Sequence, residues 1–168
     1  IGLPTGPYLP WQTTFSLAGT TRACGTKGIP IDIAGIVGAA IVTEARNQVI
    51  NLFLKGKASR LFWIDSDIVW QPDDFLRLLV LSQEMPVLCA SYPRKRPDLR
   101  HTIKPLDDGA VIVNEFGCRR IAGTGLGFTV MRRESRFEFV DHHEVRAPIF
   151  GYQVEAKIAR VRLRVDCE

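Results

Sequence analysis

The chain has 168 residues, 46% of them hydrophobic and 24% charged, with a formal net charge of +4 and a pI near 9.0. That length accommodates one domain with a packed core, and the apolar fraction excludes intrinsic disorder, a collagen-like fibre and a coiled coil. The mild basic excess favours an anionic partner, while four scattered cysteines (Cys24, Cys89, Cys118, Cys167) without a C-x-x-C pair exclude a zinc ribbon or thioredoxin site and fit reduced thiols in a cytoplasmic protein.

In chain order, residues 1–5 read as a short strand running into a Gly6-Pro7 loop, and residues 13–22 as a helix with Phe15, Leu17 and Ala18 sharing a face. Residues 31–37 read as a second strand. The apolar stretch around it, residues 29–42, is interrupted by Pro30, Asp32, Gly35 and Gly38 and falls short of the roughly 20 residues a spanning helix needs. No transmembrane segment or signal peptide is therefore expected, in a chain that does not begin with Met. Residues 39–55 read as a helix in which Val42, Ala45, Val49, Leu52 and Phe53 recur at three- and four-residue intervals.

Leu61-Phe62-Trp63-Ile64 is a continuous apolar run of buried-strand length that stops at Asp65-Ser66-Asp67. Pro72 opens a third helix, with Asp73 and Asp74 at its positive end and Phe75, Leu76, Leu78 and Leu79 turned inward. Pro86 ends it, and residues 87–90 form the next strand. Beyond Tyr92 comes a basic loop with Arg94, Lys95 and Arg96, then a hairpin through Asp107-Asp108-Gly109 into residues 110–113. Gly123-Thr124-Gly125-Leu126-Gly127 leads into a strand over 128–131, followed by a helix over 151–160 and a last strand over 163–166. With no internal repeat or linker, residues 1–168 read as a single domain. Strand, helix and strand at this spacing predict an α/β fold with a mostly parallel mixed sheet flanked by helices, whose functional residues gather at the carboxyl ends of the strands.

The Asp65-Ser66-Asp67 motif sits at such an end. In an extended chain residues i and i+2 share a face, so the two carboxylates are expected to converge. At about 5 Å and an effective dielectric near 20 they repel by about 3 kcal/mol, a cost that a divalent cation reverses. Mg²⁺ or Mn²⁺ held by one or two carboxylates and substrate phosphates suits that chemistry. Two enzyme classes write this pattern. Haloacid-dehalogenase-like phosphatases end an apolar strand in D-x-D-x-[TV], with the first Asp as nucleophile, and Asp65-Ser66-Asp67-Ile68-Val69 matches literally. Their motif, however, lies on the first strand, whereas here about sixty organised residues precede it.

The chain resembles the family-2-like GT-A glycosyltransferases, short bacterial and phage-type members in particular. The resemblance rests on the opening strand through Pro4-Thr5, Ala45-Arg46-Asn47, the strand ending in Asp65-Ser66-Asp67, Gln71-Pro72-Asp73-Asp74-Phe75, Ala90-Ser91-Tyr92-Pro93-Arg94-Lys95, and Gly123-Thr124-Gly125-Leu126-Gly127-Phe128. It implies a metal-dependent, inverting transfer of sugar from a nucleoside-diphosphate sugar to a hydroxyl acceptor, whether a glycan, a small molecule or modified DNA. Residues 1–67 would form the nucleotide-binding half and 68–168 the sugar and acceptor half. Pro4, Thr5 and Gly6 would lie against base and ribose, Arg46 and Asn47 near the nucleotide, and Asp65 and Ser66 at the ribose. Asp65 and Asp67 would hold the metal, Tyr92 and Lys95 would line the sugar or acceptor pocket, and Gly125 and Gly127 would admit the donor sugar.

The last third departs from the family. The acidic pair expected at a helix start, one member of which serves as base, is replaced by Tyr152-Gln153, and a further His ligand would fall beyond Glu168. Asp141 and Glu144 are the remaining base candidates, and His142 or His143 the remaining metal-ligand candidates. A non-catalytic sugar- or nucleic-acid-binding relative of the fold stays open beside the transferase and the phosphatase.

Overall fold

A computed structural model describes residues 1–38, 42–93, 101–106, 108–134, 137–140 and 160–163. The elements are β1 (Gly2–Thr5), α1 (Trp11–Thr26), β2 (Ala34–Val37), α2 (Val42–Lys55), β3 (Arg60–Ile64), α3 (Pro72–Leu81), β4 (Val87–Cys89), β5 (Ile103–Lys104), β6 (Gly123–Thr124), β7 (Phe128–Arg132), β8 (Phe137–Val140) and β9 (Arg160–Leu163). The main sheet runs β2-β1-β3-β7-β4, and β7 is antiparallel to both of its neighbours. β1 is parallel to β2 and β3. Because β3 and β4 both oppose β7, the carboxyl ends of β1, β2, β3 and β4 share one edge, and β7 begins there. The protein is thus α/β, with a mixed five-stranded sheet flanked by helices.

Strand β3 is the hub. Leu61, Phe62, Trp63 and Ile64 are all buried, as expected of a strand covered on both faces. Alternation sends Phe62 and Ile64 into a core shared with Leu3, Phe75, Leu78, Phe128 and Val130, while Leu61 and Trp63 pack with Val49, Ile50, Phe53 and Met131 of α2 and β7. Phe62 and Phe75 stack at 4.0 Å between centroids. Helix α3 begins as its sequence predicts, with the Asp74 carboxylate accepting the Gln71 N–H at 3.0 Å. The carboxyl end of α2 is held from β7. Arg133 lies 4.4 Å over the Phe53 ring and donates to the carbonyls of Leu54, Gly56 and Ala58, satisfying acceptors that a helix terminus leaves open.

Three expectations change. Leu52 is half exposed, and Ile50 takes its inward place on α2. The expected turn does close, the Gly109 N–H donating to the Leu106 carbonyl at 3.0 Å with Gly109 at φ 71°, but residues 110–113 form no strand and lead to a second tight turn at Asn114, whose side chain accepts the N–H groups of Phe116 and Cys118, with Gly117 at φ 74°. Lys104 and Ile103 pair instead with Gly123 and Thr124. The third change concerns α1, where Phe15 is 70% exposed and the buried residues are Thr13, Ser16, Thr20 and Cys24. The spacing i, i+3, i+7, i+11 is helical, but the inner stripe is made of hydroxyls and one thiol. These hydroxyls have specific partners. Thr13 donates to the Ser66 carbonyl at 2.8 Å, with the Ile68 carbonyl 3.2 Å away; Ser16 accepts the Trp70 N–H at 3.1 Å; and Thr20 accepts the Trp70 indole N–H at 2.8 Å.

Residues 151–159, most of the span where a helix is expected, lie outside the described residues; Arg160, its last residue, instead begins β9, which pairs antiparallel with β8 and meets the strand expected at 163–166 only at Leu163. Cys24, Cys89 and Cys118 carry free thiols. Among the described residues, no helix is long and apolar enough to cross a membrane.

Replacing Thr20 by Val keeps the volume but orphans the buried Trp70 indole N–H, so we expect a loss of about 1–3 kcal/mol in urea unfolding. Substituting the exposed neighbour Thr21 in the same way is expected to cost under about 0.5 kcal/mol.

Candidate functional site

The shared strand edge gathers the residues singled out from the sequence. β1 delivers Pro4, Thr5 and Gly6 beside β3, with Gly6 exposed and Pro4 buried. β3 delivers Asp65, and β4 leads to Tyr92. Gly125 and Gly127 come from the loop that precedes β7. Arg46 and Asn47 lie one turn into α2, both partly buried. Lys95, Asp141, His142, His143 and Glu144 lie outside the described residues.

The extended chain ends at Ile64. The Ile68 N–H turns back to the Asp65 carbonyl at 3.0 Å, so Asp65, Ser66 and Asp67 occupy a tight turn. The strand alternation invoked for the two acids stops before them, and their surroundings differ. Asp65 is partly buried, and its Oδ1 accepts from Arg46 Nη2 at 2.9 Å, with side-chain exposures of 35% and 11%. Asp67 is exposed at the outer part of the turn. Anchored by Thr13 below, the turn carries one carboxylate locked to a guanidinium and one presented at the surface.

A second set of bonds ties Asp65 to the glycine loop. Its N–H donates to the Gly127 carbonyl at 2.8 Å, and the Gly127 N–H donates to the Tyr92 hydroxyl at 2.9 Å. The Thr102 N–H in turn donates to the Tyr92 carbonyl at 3.0 Å, which fixes the tyrosine backbone. Both glycines are required by contact. A Cβ on Gly127 would collide with the Tyr92 hydroxyl and stand 3.0 Å from Asp65 Oδ2, and one on Gly125 would lie 2.6 Å from the same hydroxyl. What the G-x-G backbone approaches in this structure is Tyr92, so the glycines serve the site by admitting that ring. Burial pushes the Tyr92 phenol above its usual value of 10.0; the Gly127 N–H opposes this, the Asp65 charge adds to it, and Thr102 and Arg46 oppose it.

Chemically, the edge offers two carboxylates, a guanidinium and a phenol. Oxygen-only ligands suit a hard cation such as Mg²⁺ or Mn²⁺, which takes few protein ligands and completes its shell with phosphate and water. Asp65 and Asp67 fit that role in ligand type and number; among the described residues, no group of three or more His, Cys, Asp or Glu side chains is placed to hold a metal. Burial raises the Cys24 and Cys89 thiols, the latter partly offset by Thr124, which disfavours a thiolate at either.

The sequence reading missed Thr13, Ser16, Thr20 and Thr102. For the first three a signal existed, since small hydroxyl residues recur at helical spacing beside the aromatic ones. Thr102 carried none, being ten residues from Tyr92 and brought to it only by the ladder in which Pro93 faces His101.

Gly127→Ala is expected to cost about 1–3 kcal/mol by overpacking, and Tyr92→Phe in the same chain is expected to restore part of that loss; a double-mutant cycle on urea midpoints measures the coupling. Because the folded-state pKa of Tyr92 is raised, its contribution is complete below about pH 10 and is lost as pH rises through the higher folded value. Unfolding at about pH 9 and about pH 11 should therefore show an alkaline loss of stability that Tyr92→Phe reduces.

No family model matches the chain, and no curated protein matches it. Among solved structures the chain is similar to the crystal structure of A197 from STIV, with 22% identity and a TM-score of 0.56 over 79% of this chain and 63% of that one. At that identity the likeness is one of fold, and this chain spans less than two thirds of the length of A197.

Proposed function

We propose that the chain is a GT-A-type glycosyltransferase that moves a sugar from a nucleoside-diphosphate sugar to a hydroxyl acceptor. The observation that carries the proposal is the Asp65-Ser66-Asp67 turn at the carboxyl end of the hub strand, with Asp65 held on three sides by Arg46, Gly127 and the turn itself. Crevices at the carboxyl ends of parallel strands are where α/β sheets bind nucleotides.

The roles follow the family resemblance, and the chemistry of each residue suits its role. Thr5 and Gly6, at the open end of β1, offer backbone and hydroxyl groups to the base and ribose. Arg46 holds Asp65 in orientation at 2.9 Å, so that its carboxylate is preformed to accept from a ribose hydroxyl. Asp67, exposed beside it, joins Asp65 in holding Mn²⁺ or Mg²⁺, which when bound supplies charge neutralisation for the leaving diphosphate. Tyr92 walls the sugar side with a protonated phenol, a donor at neutral pH. Asp141 and Glu144 remain the candidate bases that would take the acceptor proton. An inverting outcome rests on the family resemblance alone.

Calorimetric titration of UDP and GDP, with and without Mn²⁺, tests this reading. We expect metal-dependent binding, weakened about tenfold or more (roughly 1.4 kcal/mol) by Asp67→Asn. A folded sample that binds neither diphosphate in the presence of Mn²⁺ overturns the proposal. Phosphate release from an aryl phosphate, with a phosphoryl analogue trapped on Asp65, would assign the motif to the phosphatase class instead.

A further inference from the structure

Helix α1 is inverted relative to an ordinary surface helix. Its inner stripe is Thr13, Ser16, Thr20 and Cys24, whereas Trp11, Phe15, Ala18 and Arg22 recur at i, i+4, i+7 and i+11 on the opposite side. Trp11 is 67% and Phe15 70% exposed, and their rings meet edge to face at 5.7 Å. Tyr8, three residues upstream of the helix, is 87% exposed. Scattered single apolar side chains on a surface need no explanation, but three aromatic rings within eight residues form a patch that asks for a cover.

The shape and charge of the patch select the cover. A small ligand is bound in a concavity that encloses most of its surface, and rings this exposed on the outer face of a helix enclose nothing. They are built to enter something softer than themselves. Along residues 1–31 the only charged side chains are Arg22 and Lys27; the first acid is Asp32. Both cations are exposed, with Arg22 on the aromatic stripe and Lys27 just past the end of α1. Aromatic rings on a stretch of chain whose only charged side chains are cations match the interfacial layer of an anionic bilayer, where Trp and Tyr settle at headgroup depth and Lys and Arg meet lipid phosphates.

We propose that the outer face of α1, through Tyr8, Trp11 and Phe15 with Arg22 and Lys27, docks the protein on an anionic lipid surface. The docking is peripheral, since the rings reach only the interface. Thr13, on the inner stripe of α1, carries the Asp65–Asp67 turn, so that turn lies across the helix from the docking face. The proposal does not depend on nucleotide binding and is tested without nucleotide.

The probe is the full chain with vesicles of phosphatidylcholine alone or of phosphatidylcholine mixed with phosphatidylglycerol. Trp63 and Trp70 are 1% and 4% exposed, so a vesicle-induced change in tryptophan emission reports on Trp11. We expect a blue shift and co-sedimentation with the anionic vesicles that weaken with added salt, and partition about tenfold weaker for Trp11→Ala/Phe15→Ala and for Arg22→Glu/Lys27→Glu. All four positions are exposed, and an unchanged urea midpoint for each variant shows that the fold is kept. Phe15→Ala alone retains the fluorophore and is expected to reduce the shift. The proposal is overturned if the wild type stays in the supernatant with both vesicles, or if the aromatic variant partitions as the wild type does. It is equally overturned if the patch instead drives self-association without lipid, seen as a concentration-dependent mass that Trp11→Ala/Phe15→Ala abolishes.

Discussion

The hydroxyl stripe of α1 is the constraint on which the rest of the candidate site depends. A strand that ends in two acids leaves its following turn with backbone groups that need partners, although Ile68 and Trp70 beyond it pack on the core. Here Thr13 meets the Ser66 carbonyl, Ser16 takes the Trp70 N–H and Thr20 takes the Trp70 indole. Each bond contributes about 1 kcal/mol net, yet leaving any one of these buried groups unmade costs more, which is why such contacts specify one conformation. With Trp70 pinned against Phe128 at 5.7 Å, the segment from Asp65 to Trp70 has both ends fixed. The turn that carries Asp67 is held between them.

The same logic holds the partly buried Asp65 in one orientation. Its carboxylate has a guanidinium at 2.9 Å, and its backbone is tied to the loop before β7. Arg46 reaches it from α2, whose far end is gripped by Arg133, just past the strand that pairs with β3. One antiparallel strand therefore supports the site twice, through Gly127 at its beginning and through Arg133 beyond its end. A preformed carboxylate of this kind suits recognition of a sugar hydroxyl better than a mobile one, because the ordering entropy is spent during folding.

Burying hydroxyls on one side of α1 has a consequence on the other. A sixteen-residue helix whose inner face is largely polar keeps its aromatic residues outside, and the fold tolerates this because specific hydrogen bonds, together with Leu17 and Cys24 packing on the core, seat the helix. The outer aromatic stripe is then available for a surface that the core does not need.

Much of the architecture could be read from the chain alone. The apolar run of β3 is long enough to span a sheet and too short for a buried helix, Pro72 with its flanking acids marks the start of α3, and the stop at Asp65 marks a strand end, all through local rules of burial and capping. What only the tertiary structure decided were the partners. Periodicity reports that α1 has faces but not which one is inside, because Thr13, Ser16 and Thr20 become core residues only when Ser66 and Trp70 arrive from some fifty residues away. Strand alternation could not foresee the turn in which Asp65 pairs with Arg46 while Asp67 is exposed, nor that the two glycines would make room for Tyr92. Hydrophobic patterning is a property of neighbours in sequence; hydrogen-bond satisfaction and close approach are properties of neighbours in space, and it is these that shape the candidate site.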